Sequence, residues 1–448
     1  MVNHARLTES ARTDRYAFMS TMDFHDWWAR RQQANRFEVT RLPFAELDSW
    51  SFEDGTGDLV HRSGRFFRIE GLHVRSTYGH IPQWTQPIIN QPEIGVLGIL
   101  VKEFDGVLHC LMQAKMEPGN INTLQLSPTV QATRSNYLRV HGGGSVRYLE
   151  YFVGPKRGRI LADTLQSEQG SWFYRKHNRN MVVEVEEDVP LHEDFCWLTL
   201  HQVLELLSSE NLVNMDTRTV LSCLGFDHPY GDARHSITDV ISWFTDAKAR
   251  HEVDVRRIPL AQVQGWRRTS HVIEHEEGRH FRVIAAEVSA PNREVKAWRQ
   301  PLVEPSGHGL AALLVTEFDG VPHALVHARV EPGFIDAVEL SPTVQCLPAN
   351  YHDLPADRQP RYLDEVLGAD PGRVLFDTML SEEGGRFYDA QNRYLIVAAD
   401  PVEESPDFRW VAVPQLMALV RHSHYLSVQA RSLIACWHSL WGRGLDVA

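Results

Sequence analysis

Positive charge is scarce and scattered in this chain. Lys and Arg number 45 against 58 Asp and Glu, a formal net charge of −13 over 448 residues, and no Lys/Arg run breaks the mixture. A nucleic-acid groove needs clustered cations, so nucleic acid is excluded as a partner. No apolar stretch approaches the roughly 20 residues of a membrane span, and Met1 to Thr21 lacks the apolar centre of a secretory leader. The five cysteines stand far apart, which excludes a zinc knuckle and a disulfide framework. Cys223 and Cys436 fall inside helical patterns at equivalent places, where packing is their expected role. The 23 histidines make no HxxxH or His/Cys cluster of metal spacing. Neither GxGxxG nor GxxxxGK[ST] occurs, and Ser127 lacks the glycine-flanked elbow of a hydrolase serine. A cytoplasmic protein is expected, with no cofactor and no metal, whose chemistry would fall to carboxylate, Lys, Tyr or His side chains.

What is present is a duplication. Glu117-Pro118-Gly119 opens a block that ends Leu126-Ser127-Pro128-Thr129-Val130-Gln131, and the same words return as Glu331-Pro332-Gly333 and Leu340-Ser341-Pro342-Thr343-Val344-Gln345. The spacing is 214 residues, as from Gly119 to Gly333, and Arg147-Tyr148-Leu149 and Asp163-Thr164 recur at it as Arg361-Tyr362-Leu363 and Asp377-Thr378. The chain divides into a tail (1–22), a first repeat (23–225), a Gly/Pro/Asp-rich linker (226–238) and a second repeat (239–448). Each repeat opens with a Trp-bearing amphipathic helix. Each then carries a hairpin centred on Asp105-Gly106 or Asp319-Gly320, dipeptides that take the positive φ of a tight turn. Pro322, with no amide proton, belongs at a strand start or an edge. Apolar strands at Met181–Val183 and Leu395–Val397 precede leucine-rich helices at Leu198–Leu207 and Val411–Val420. Strands bracketed by helices predict an α+β domain used twice.

The polar block after the first hairpin is the candidate site. It carries Glu117, Asn120, Gln125, Thr129, Gln131, Arg134, Ser135, Asn136 and Tyr137, punctuated by prolines and a glycine that fix its path. Pro118, Gly119 and Pro128 read as structural corners, whereas Glu117 and Gln131 fit a corner and a ligand group equally. The two copies differ where it matters. Arg134-Ser135 becomes Pro348-Ala349, and a guanidinium beside a hydroxyl suits a phosphate. The first repeat therefore reads as the working copy, and the second as degenerate or structural. Gly142-Gly143-Gly144 permits a flap or a merely flexible loop.

Two blocks, Glu117-Pro118-Gly119-Asn120-Ile121-Asn122 through Tyr137 and Asp163-Thr164-Leu165-Gln166-Ser167-Glu168-Gln169-Gly170-Ser171-Trp172-Phe173, resemble the nucleotide-diphospho-hexose 2,3-dehydratases of deoxysugar and antibiotic biosynthesis. The resemblance covers nearly the whole chain. It implies a homodimer and a Nudix-like α+β fold in each half, although the metal-binding Nudix box is absent. It also implies a dTDP-4-keto-6-deoxy-D-glucose substrate, loss of water across C2 and C3 through an enolate, and a downstream 3-ketoreductase for the 3,4-diketo-2,6-dideoxy product. On that reading Lys115, Glu117 and Tyr137 are the catalytic candidates, with Asn136 beside Tyr137 as a donor to the sugar. Arg134, Ser135 and Arg147 would hold the diphosphate, Trp84 would stack on thymine, and Thr129, Gln131 and Tyr148 would line the pocket. A non-catalytic nucleotide-sugar binder with two pockets is the alternative.

Overall fold

The computed structural model describes residues 4–13, 15, 18–133, 146–154, 157–227, 231–290 and 296–441. The mixed α+β reading holds, and the same architecture is built twice. Each repeat contributes a seven-stranded sheet and four strands of a smaller five-stranded one. In the first repeat the larger sheet is built on the hairpin strands Gly95–Phe104 and Val107–Met116. His177–Glu184 pairs parallel with the first of these and Phe195–Thr199 antiparallel with the second. The second repeat reproduces both pairings with Gln391–Ala398 and Phe408–Ala412. The turns are as the dipeptides dictate: φ is 49° at Asp105 and 81° at Gly106, and 50° and 77° at Asp319 and Gly320. Pro322 is second in its strand and faces Glu317 across the hairpin, whereas pairing with Phe408–Ala412 on the other side begins only at His323.

The opening helices, Thr21–Ala34 and Ile237–Arg250, are each set by a capping box, Ser20 with Asp23 and Ser236 with Asp239. The serine hydroxyl takes an orphan amide of the first turn and the aspartate answers the cap amide. Part of the segment read as a tail is also structured. His4–Arg12 is a helix whose Leu7, Ser10 and Ala11 are buried, and Ser10 Oγ accepts from the Leu108 amide at 3.1 Å. Three small or apolar residues on one face suffice to dock a helix too polar overall to stand out in sequence.

The repeats are separate in sequence but interlocked in space. Glu38–Leu42 of the first pairs with Phe281–Ser289 of the second, and Val253–Ile258 of the second pairs with Arg68–Ser76 of the first. Each five-stranded sheet thus contains one strand from the other repeat, and the two sheets share a core of Leu42, Phe44, Trp50, Phe281, Val283 and Phe387. The helices Met215–Ser222 and Val428–Trp441 pack on each other. Fully buried arginines reach across: Arg218 donates to the Ser381 carbonyl and Arg431 to that of Ser167. Cys223 and Cys436 are buried in this region, and burial pushes their thiols up to about 11 and about 12. They pack, as the helical pattern implied.

Candidate active site

The Glu-Pro-Gly corner is where the repeats clasp. Gly119 donates its amide to the Gly384 carbonyl and Gly333 donates to that of Gly170, both at 2.7 Å. A β carbon on Gly119 would lie 1.5 Å from the Phe387 carbonyl oxygen, and one on Gly333 would lie 1.8 Å from that of Phe173. Only glycine allows this approach. The clasp brings Glu117 against the loop Glu382–Arg386 of the other repeat, and Glu331 against the loop Glu168–Trp172.

At the first corner Glu117 is the hub. Its Oε1 accepts from Lys115 Nζ at 2.9 Å and from Gln131 Nε2 at 2.7 Å. Asn214 in turn donates to Gln131 Oε1 at 3.3 Å and to Ser127 Oγ at 3.0 Å. Lys115 and Glu117 are two apart on one strand end and so share a face. The structure therefore brings together three of the residues read from sequence. The second repeat builds the same triad, with Arg329 Nε and Gln345 Nε2 donating to Glu331 Oε1 at 3.1 and 3.0 Å.

Around the second triad lies a cavity of about 660 Å³ whose walls include Arg329, Glu331, Gln345, Asn350 and Tyr351. Trp84 and Gln86 of the first repeat close it, the indole donating to Gln86 Oε1 at 2.9 Å. Trp84 therefore does not serve the first repeat's triad, as its place in the sequence implied. The strand that carries it crosses to the other repeat. Trp298, its equivalent, donates to Gln300 Oε1 at 2.9 Å and packs against the first repeat's core.

Two further expectations change. Thr129 is buried, its Oγ1 accepting from the Leu100 amide and donating to the Leu111 carbonyl, and Thr343 makes the same pair of bonds. Tyr148 is buried with φ 63°, its hydroxyl donating to the Pro190 carbonyl at 2.7 Å. Both hydroxyls are used inside the scaffold, which replaces the ligand contact read from sequence. Arg147 is exposed. Arg134, Ser135, Asn136 and Tyr137 lie outside the described residues, as does Gly142-Gly143-Gly144.

The triads match, but their surroundings do not. The second cavity is lined by Gln169, Gln429 and Trp172. Around the first triad the equivalent positions hold Glu383, Asp216 and Arg386, and Lys176 stands where the second repeat has Ala390. Burial, then Glu117 and Glu168 working against Arg386, pushes Glu383 up to about 7. Burial and then Glu168, Glu117 and Glu383 hold Asp216 well above the usual carboxylate range. Burial brings Lys176 down to about 8, against the pull of Glu168. Clustered, desolvated groups with displaced pKa values mark functional sites. Sequence reasoning missed Asp216, Lys176 and Arg386 and gave Glu383 no role, although the exchanges of Gln169 for Glu383 and Asp216 for Gln429 between copies were the signal.

The profile of the NDP-hexose 2,3-dehydratase family matches residues 21–224 and again 237–437. The chain belongs to that family. Among its relatives are proteins named dTDP-4-dehydro-6-deoxy-alpha-D-glucopyranose 2,3-dehydratase. That of Saccharopolyspora spinosa is 53% identical over 99% of this chain and 96% of its own length. The Amycolatopsis orientalis protein is 54% identical over 96% and 93%, and that of Streptomyces violaceoruber 51% over 95% and 98%. The double match of the family profile coincides with the two interlocked repeats. No helix among the described residues is long and apolar enough to cross a membrane.

Proposed function

We propose that the chain removes water across C2 and C3 of dTDP-4-keto-6-deoxy-D-glucose, and that the triad of the first repeat is where this happens. One observation carries the choice of repeat: the first triad is ringed by ionisable groups, whereas the second has glutamines at the equivalent places. The reaction begins at C3, whose proton is acidic because the C4 ketone receives the charge as an enolate. It needs a base at C3, a cation or donor at the C4 oxygen, and an acid for the departing C2 hydroxyl. Glu117 is the proposed base, its carboxylate held in place by Gln131, with Lys115 as the cation that meets the enolate oxygen. Collapse of the enolate expels the C2 hydroxyl as water. The enol left between C2 and C3 then takes a proton at C2 to give the 3,4-diketo-2,6-dideoxy sugar.

Substrate holding is proposed for the block that follows. Asn350 and Tyr351 line the second cavity, which supports placing Asn136 and Tyr137 at the sugar. Arg134 and Ser135, with the exposed Arg147, are proposed to meet the diphosphate, and Trp298 takes over the stacking role first given to Trp84. The mixed sheet with one parallel strand pair in each repeat supports the Nudix-like assignment. The resemblance further implies a homodimer in the cytoplasm, and the reactive diketone calls for a ketoreductase downstream.

Incubation with dTDP-4-keto-6-deoxy-D-glucose in deuterated water tests the reading. Deuterium should enter C2 of the product, trapped by reduction with a 3-ketoreductase and its nicotinamide cofactor. Binding with neither exchange nor elimination would establish the non-catalytic binder instead.

A further inference from the structure

The proposed scheme leaves the acid unnamed, and the geometry points to one. Glu383 belongs to the second repeat by sequence, but the clasp at Gly119 and Gly384 delivers it to Glu117. Its Oε1 accepts from the Gly385 amide at 3.1 Å, whereas its Oε2 is buried and without a partner among the described residues. A β carbon on Gly385 would sit 2.4 Å from Glu383 Oε1 and 3.5 Å from Glu117 Oε1, so the two carboxyls converge on one point of the backbone. Asp216, 3% exposed, adds a third carboxyl whose Oδ1 is likewise buried without a partner. An unpaired buried oxygen costs free energy unless something occupies it in the working state. The equivalent side chains, Gln169 of the first repeat and Gln429 of the second, line the second cavity. The same relation directs Glu383 and Asp216 at the space beside the first triad.

We propose that Glu383, carried by one repeat into the site of the other, is the proton donor to the departing C2 hydroxyl, with Asp216 behind it as a positioning residue. In the step itself the C2–O bond breaks as the enolate electrons form the C2–C3 double bond. The proton of the Glu383 carboxyl joins the leaving oxygen to make water, and the carboxylate regains a proton from solvent. Burial, with Glu117 and Glu168 nearby, keeps a proton on Glu383 near neutral pH, which an acid needs and a base does not. Gln169 cannot perform this step, because an amide has no proton of comparable acidity.

This inference rests on the dehydratase reading, and the test separates the two. Glu383→Gln copies Gln169, its counterpart in the first repeat, and should fold. In the full chain it is expected to lose about 100-fold or more in kcat, while dTDP binds within threefold of wild type and C3 hydrogen still exchanges with deuterated solvent. Exchange that survives while elimination stops is the mark of a missing acid. Turnover within threefold of wild type would overturn the proposal, as would joint loss of exchange and binding, which would make Glu383 structural. Inactive wild type would sink the dehydratase reading itself. Asp216→Asn should lower kcat while KM and dTDP affinity stay near wild type; kcat within twofold of wild type removes Asp216 from the mechanism.

Discussion

The Gly119 amide donates to the Gly384 carbonyl at 2.7 Å, and this bond makes one active site out of two repeats. It fixes the corner that carries Glu117 to the loop that carries Glu383. Neither repeat alone holds both carboxyls.

Gly119→Ala should therefore be among the most damaging single changes in the chain. Its β carbon would overlap the Phe387 carbonyl, 1.5 Å away, and backbone on both sides must give. A cost of several kcal/mol, on the order of 4, is expected, read as a large fall in melting temperature or loss of soluble protein. Gly307→Ala is the control, since nothing lies within 4 Å of its β position; equal damage there would discredit the steric account.

The exchanged arms predict an inversion between two tryptophans. Trp84 closes the cavity of the second repeat, and Trp298 packs on the core of the first. Trp298→Ala should raise KM for the nucleotide sugar by about tenfold, in line with the ~1–3 kcal/mol of a base stacked on an aromatic ring. Trp84→Ala should leave KM nearly unchanged. Steady-state kinetics of the two variants decides it, and the opposite ranking would return the thymine to Trp84.

Much of this was legible before any coordinates. Asp105-Gly106 and Asp319-Gly320 declared their hairpins because the turn chemistry is local, and the duplication declared two equivalent bodies. Lys115, Glu117 and Gln131 were found because they lie close together in sequence and in space. What escaped is what depends on the exchange of strands. Nothing in Gln83–Asn90 says that its Trp84 faces the other repeat, and nothing local in Glu383 says that it meets Glu117, more than half the chain away. Tyr148 and Thr129 misled for a related reason. A polar side chain in a polar block looks available until the carbonyls of Pro190 and Leu111 are seen to use it.

Lys115→Met should abolish measurable turnover, a loss of at least about 100-fold, while dTDP affinity stays within a fewfold of wild type. Arg329→Met removes the matching cation of the second triad and should cost much less in kcat. Parallel kinetics and calorimetric titrations report both quantities. If Arg329→Met proved the more damaging for kcat, the working site would be the second cavity.

Tyr148→Phe removes the hydrogen bond its hydroxyl donates to the Pro190 carbonyl and the one it accepts from the His192 amide, and leaves the ring in its core. A loss of about 1–2 kcal/mol in unfolding free energy is expected, with KM and kcat unaltered. Chemical denaturation beside a kinetic assay separates these effects. A raised KM at undiminished stability would restore Tyr148 to the substrate.

Glu339 offers a pH test of the buried layer between the repeats. Its carboxyl is fully buried and accepts from Ser167 Oγ at 2.6 Å, and burial above all pushes it up to about 8 from an ordinary 4.5. The first repeat has Gln125 there, which takes the Ser381 hydroxyl at 2.9 Å. A carboxyl raised on folding favours the native state most below its unfolded pKa, and that contribution is lost as pH climbs through the folded value. Wild type should therefore lose stability relative to Glu339→Gln between about pH 5 and 8. The amide needs no proton, so its melting temperature should overtake that of wild type toward the alkaline end. Thermal melts at half-unit pH steps measure the gap. If the gap stayed constant across the window, Glu339 would be ionised in the native protein, with Arg431 as its counter-charge.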